Sequence, residues 1–166
     1  MFNKLITLSL LRCSTVFADP RSDNLRAHVR ALPDVRPVLV NDAVDAALTV
    51  ETPDIPASLL LSIAWSESRF EPGLRTGRVC GALQVNPHDI GQDRRECLAW
   101  AHSTVLGFAA GVTELRMLLS DPRVHGNLYR ALGYRACGNS FFDGTCHKMQ
   151  WPGWVLERAE RLGAGD

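Results

Sequence analysis

IPASLLLSIAWSESRFEP, residues 55–72, is an apolar run that ends in a carboxylate, a serine and an Arg-Phe-Glu-Pro exit. Pro56 suits the first turn of a helix, where its missing N–H leaves nothing unpaired. A helix started there places Leu60, Ile63, Ala64 and Glu67 on one face, at the spacing of a stripe turned toward a core. Glu67 therefore shares the apolar side. Two readings follow. In one, the helix frays in its last turn and the carboxylate reaches water or Arg69. In the other, Glu67 is a partly desolvated acid: burial and the negative end of the helix dipole both disfavour the ionised form and raise the pKa. That is the state a general acid working near neutral pH requires.

Outward from this helix, punctuation by Pro and Gly divides the chain. Upstream, residues 19–37 carry Pro20, Pro33, Pro37 and many charges, and read as a loosely packed lead-in or a short helix near DNLRAHVRAL. Residues 41–50, NDAVDAALTV, open on an Asn-Asp cap signal and read as the first helix of the domain. Downstream, GLRTGRVCGALQVNPHDIGQDRREC is rich in glycine and polar residues and reads as loop, with a short strand or hairpin around residues 79–85. Helix resumes in AWAHSTVLGFAAGVTELRMLLSD, where Val105, Ala109, Val112, Leu115 and Leu119 form one stripe. Pro122 then reads as opening a helix to about Tyr134, and Pro152 one ending near Gly163. Five helices around one irregular loop predict a mainly α domain, with its chemistry on the loop.

The chain has 166 residues, 46% of them hydrophobic, enough for one domain with a true core. Eighteen basic and eighteen acidic residues cancel, so composition gives no basic surface for nucleic acid. Residues 1–18 pair Lys4 with an apolar run over 5–11 and carry Val16 and Ala18 at the spacing of a signal-peptidase site. They read as a secretory signal, interrupted by Arg12 and too short to span a bilayer. Cleavage after Ala18 removes Cys13 and leaves Cys80, Cys97, Cys137 and Cys146. An even count fits two disulfides in an oxidising compartment. Local pairing, Cys80 with Cys97 and Cys137 with Cys146, is the simplest of three connectivities. The competing reading, zinc held by these cysteines with His88, His102 or His147, lacks the usual C-x₂-C and H-x₃-H spacings, so neither metal nor cofactor is expected.

Glu67-Ser68 followed by RFEP, GALQVNP over residues 81–87 and YRACGN over residues 134–139 together resemble the lytic transglycosylases of the soluble type, relatives of goose-type lysozyme. That family shows a helix ending in Glu-Ser, a Pro soon after, a G-L-M-Q loop and a later Y-N-A-G. The resemblance covers about residues 53–162, in order, which makes residues 19–52 a lead-in plus one helix. Arg135 stands where the family has Asn, Cys137 is inserted before Gly138, and Leu83 replaces Met.

The resemblance implies a lysozyme-like α domain whose central loop or hairpin forms one side of a glycan cleft. It implies cleavage of the β-1,4 bond between N-acetylmuramic acid and N-acetylglucosamine in peptidoglycan. Most glycosidases use two carboxylates for such a bond; this family uses one. Glu67 would protonate the leaving oxygen and then, as carboxylate, take the proton from the muramoyl C6 hydroxyl as that oxygen closes a 1,6-anhydro ring, the substrate's N-acetyl group assisting. Gln84 would hydrogen-bond the sugar or brace its loop. Ser68 would meet an N-acetyl group or cap the helix, and Tyr134 would hold the Glu67 carboxyl or pack in the core. Gly81 would let the loop approach the sugar, with Leu83 and Asn86 beside it. Trp65 and Trp100 read as core rather than as sugar platforms. The implied partner is the glycan strand, met by a monomeric, exported protein, periplasmic or extracellular. The settings compatible with it are wall turnover, a secretion or conjugation machine, and a phage particle.

Two other readings share these residues. If Asp89, Asp93 or Glu96 activates water, the protein is a hydrolase of the lysozyme type; the neutral Asn86, where goose-type lysozymes carry Asp, favours ring closure. If the fold grips glycan without cutting it, the protein is a binding module, which gains nothing from a poorly solvated acid on an apolar face.

Overall fold

The computed structural model describes residues 20–164, so the signal-like segment with Cys13 and Ala18 lies outside the described residues. Among the described residues there are seven α-helices: α1 (Pro20–Arg30), α2 (Pro37–Val50), α3 (Ala57–Ser68), α4 (Glu96–His102), α5 (Thr104–Leu119), α6 (Leu128–Cys137) and α7 (Trp151–Gly163). A two-stranded antiparallel hairpin, β1 (Arg75–Thr76) and β2 (Val79–Cys80), follows α3, with Arg75 opposite Cys80. The class is mainly α, as the residue pattern predicts.

The core is built around α3. Leu59, Leu60, Leu61, Ile63 and Ala64 are all buried, so this helix is apolar around its whole circumference rather than along one stripe. It packs most extensively on α7 and also on α2 and α5. Ser62, fully buried between α3 and α7, donates from Oγ to the carbonyl of Val155 at 2.7 Å, so the helix pair closes without an orphan hydroxyl.

The first helix of the sequence reading, α2, begins at Pro37 in its first turn rather than at an Asn41-Asp42 cap, and three further boundaries differ, each for a local reason. The lead-in is a packed helix: Leu25 and Val29 of α1, one turn apart, enter the same core as α2 and α3. The long helix before residue 121 is two, broken at Ser103, whose backbone is extended and whose Oγ accepts from the Leu106 N–H. Restarting there re-phases α5, so Phe108, Val112 and Leu115 are buried while Val105 is exposed. Pro122 does not open α6, because His125 and Gly126 adopt φ of 54° and 70° and end any helix. Asn127 caps the true start, its Oδ1 accepting from the Arg130 N–H at 3.0 Å.

Both disulfides form with the local pairing, Cys80–Cys97 and Cys137–Cys146. This consumes the thiolates that a zinc site with His88, His102 or His147 would need. Two bridges point to an oxidising compartment, and no helix among the described residues is long and apolar enough to cross a membrane.

Candidate active site

The last turn of α3 is closed by two consecutive residues in the left-handed region, Arg69 (φ 56°) and Phe70 (φ 70°). The Phe70 N–H returns to the Ala64 carbonyl and the Arg69 N–H to that of Trp65, which pairs the end of the helix without a glycine. Phe70 turns back into the core at 1% exposure. A non-glycine pair in this conformation costs free energy that the surrounding structure must offset, as happens at sites.

Glu67 comes to rest half-buried, its side chain 27% exposed. The carboxylate does not fray toward Arg69, whose guanidinium lies 3.9 Å over the Trp65 ring and donates to the Trp65 carbonyl. It meets Arg135 of α6 instead: Nη1 donates to Oε1 at 2.8 Å. Oε2 has no hydrogen-bond partner among the described residues.

Arg135 is the hub. Its side chain is 6% exposed, and Nε donates to Oε2 of Glu114 on α5 at 2.9 Å. Nη2 donates to the carbonyls of Leu83 and Gln84, the latter at 3.3 Å. Burial opposes the charge of Arg135, but Glu114 and Glu67 outweigh it and leave the guanidinium pKa raised. Burial pushes the Glu114 carboxyl up, against the pull of Arg135. Glu114 and Arg135 also line a cleft of about 560 Å³ between α5 and α6, with Asp89, Asp121 and Tyr134 on its walls. Glu67 is not among the residues lining this cleft; it is linked to it only through its hydrogen bond from Arg135.

The remaining residues singled out from the sequence divide into braces and walls. Ser68 Oγ donates to the carbonyl of Ala82 at 2.6 Å, tying the end of α3 to the loop. Gln84, itself at φ 50° and 6% exposed, donates from Nε2 to the carbonyls of Leu74 and Gly81 at 3.0 and 2.8 Å. Its amide thus holds the loop. Leu83 is 2% exposed and packs on Gly111 of α5. Gly81 is needed for its φ of 79°, and a Cβ there would face Trp100 at 3.6 Å. Asn86 donates from Nδ2 to Asp89 and caps the short 3₁₀ turn Pro87–Ile90.

Tyr134 stands on the cleft wall, but its hydroxyl accepts from Arg123 Nη2 at 2.7 Å and makes no hydrogen bond to Glu67 among the described residues. Trp100 is core. Trp65 lies between the guanidinium groups of Arg69 and Arg158 and donates to the Pro33 carbonyl. Asp93 is held by Arg95, and Glu96 is exposed at the start of α4.

Arg135 and Glu114 were not among the residues the sequence proposed as site groups. Arg135 was visible only as a departure from a motif, and Glu114 gave no signal beyond a charge beside an apolar stripe. No family model, curated protein or solved structure matches the chain.

Proposed function

We propose that the chain cleaves the β-1,4 bond between N-acetylmuramic acid and N-acetylglucosamine in peptidoglycan, with Glu67 as the acid and base and a 1,6-anhydromuramoyl end as product. The observation that carries this reading is the last turn of α3. There a glutamate 27% exposed, at the end of a largely buried helix, has Oε1 held by Arg135 and no hydrogen-bond partner on Oε2 among the described residues, and Ser68 beside it ties the helix end to a loop that Gln84 braces. The likeness of Glu-Ser, G-A-L-Q and the Tyr134 segment to the soluble lytic transglycosylases supplies the substrate.

In this mechanism Glu67 gives the proton on Oε2 to the glycosidic oxygen as its bond to C1 breaks. The resulting carboxylate then takes the proton of the muramoyl C6 hydroxyl while O6 bonds to C1. Atoms balance without water. An intramolecular hydroxyl has an effective concentration that water matches only with a positioned base. Asp89 on the cleft wall favours a second reading, in which it activates water and the ends are hydrolysed.

Mass analysis of the products from purified sacculi separates the two. Anhydro ends, lighter than hydrolysed ends by one water and without a new reducing sugar, are expected. Mainly reducing ends would transfer the reaction to water and make Asp89 the first residue to replace. Sacculi left uncut would leave a binding module. In the same assay Glu67→Gln, which keeps the shape and loses the acid, should abolish cleavage with the fold unchanged by circular dichroism. Activity above a few per cent of native would move the acid elsewhere.

A further inference from the structure

One guanidinium serves two carboxylates. Arg135 reaches Glu67 through Nη1 at 2.8 Å and Glu114 through Nε at 2.9 Å, and its third nitrogen is occupied by the carbonyls of Leu83 and Gln84. The cation is almost wholly enclosed, and Glu114 is 13% exposed. A buried cation facing one carboxylate holds it charged, and an acid held charged has no proton to give. Facing two, it leaves an excess negative charge in a poorly solvated place, where one added proton restores neutrality.

We propose that Glu67, Arg135 and Glu114 act as one unit, in which Glu114 is a positioning residue that shares the charge of Arg135 and so leaves Glu67 able to carry the proton it delivers. This rests on the reading of Glu67 as the proton donor. Burial of the Glu114 carboxyl favours its protonated form, and the charges acting on it are Arg135, which opposes the proton, and Asp89 and Glu67, which favour it. Tyr134 and Asp121 share the cleft wall, each engaged by Arg123. The unit spans α3, α5 and α6, so it exists only in the folded chain.

The test is the pH profile of sacculus cleavage for the native protein, Glu114→Gln and Arg135→Gln. Glu114→Gln keeps an acceptor for Arg135 Nε but removes the competing charge. Its alkaline limb should move down by about one pH unit, which is about tenfold in activity on that limb, with activity below the limb nearly native. Arg135→Gln leaves two carboxylates without their cation, and its limb should move up. Glu114→Asp retains the charge and should leave the limb in place even where the rate falls. A purely structural role scales the profile without displacing it, so an unmoved limb in either Gln variant, shown folded by circular dichroism, overturns the proposal. A native protein that cuts no sacculi overturns both this unit and the reading beneath it, whereas an active native protein with unmoved variants overturns the unit alone.

Discussion

Asp121 and Arg123 fix the rim of the cleft by a contact only two residues long in sequence. The carboxylate accepts from the Arg123 backbone N–H at 2.8 Å and from Nε and Nη2 at 3.0 and 2.7 Å, while Nη1 of the same guanidinium donates to Asn139. These hydrogen bonds push the Asp121 carboxyl down to about 2 from an ordinary 3.8. A carboxyl depressed on folding stabilises the native state above its unfolded value and loses that contribution as pH falls toward its folded value. The gap in urea midpoint between native protein and Asp121→Asn should therefore be constant above about pH 4 and close as pH approaches 2. An equal gap at pH 2 and pH 7 would contradict it. Glu114 has the opposite sign: a carboxyl raised by burial favours folding when protonated, and that contribution is lost as pH rises through its folded value. Glu67 was legible at this scale because an acid on an apolar stripe violates the pattern around it. Glu114 violates nothing on α5, and only the docking of α6 gives it Arg135 as a partner. Side chains that acquire their partner through tertiary packing leave no local trace.

Helices marked by an apolar run or an opening proline, α2, α3 and α7, are legible in the sequence, α1 only as one of two readings, and the junctions beside α5 are not. Two buried apolar residues, Leu25 and Val29, are all that α1 offers the core among its charges. The Ser103 break and the Asn127 cap lay in plain view but were outvoted by a continuing apolar period and by Pro122. Packing between elements leaves its own mark at Gly133 of α6. A Cβ there would lie 2.1 to 2.4 Å from the Phe141 ring on the 3₁₀ turn Gly138–Phe141, a distance no atom pair tolerates. Alanine at position 133 would gain up to about 1 kcal/mol of helix propensity, but overpacking costs about 1–3 kcal/mol. With a ring carbon only 2.1 Å away the upper end of that cost applies, and a net loss of about 2 kcal/mol is expected for Gly133→Ala. In urea unfolding, Phe141→Leu should recover much of that loss in the double variant, since it vacates the space. A single variant as stable as native would mean that the turn moves freely away from α6.

Across the whole molecule, one core runs from α1 to α7, and the two disulfides sit at the two walls of the site. Cys80–Cys97 ties the end of the hairpin, just before Leu83 and Gln84, to α4; Cys137–Cys146 ties the end of α6, just after Arg135, to the segment leading to α7. The loops they close span 17 and 9 residues, for which loop-closure entropy gives roughly 3 kcal/mol each. Neither bridge includes a residue of α3 or α7, the pair of elements with the most extensive packing in the fold. Removing one should therefore loosen its wall more than the core. Cys137→Ser with Cys146→Ser should lower the unfolding free energy by about 2–3 kcal/mol and reduce sacculus cleavage well below what the unfolded fraction explains, because the end of α6 that aims Arg135 is no longer tethered. Cys80→Ser with Cys97→Ser should do the same through the opposite wall, by releasing the loop carbonyls that accept from Arg135. Urea midpoints and cleavage rates on one preparation of each variant decide the matter. A variant that loses stability but cuts at the native rate would make that bridge a staple for the fold alone.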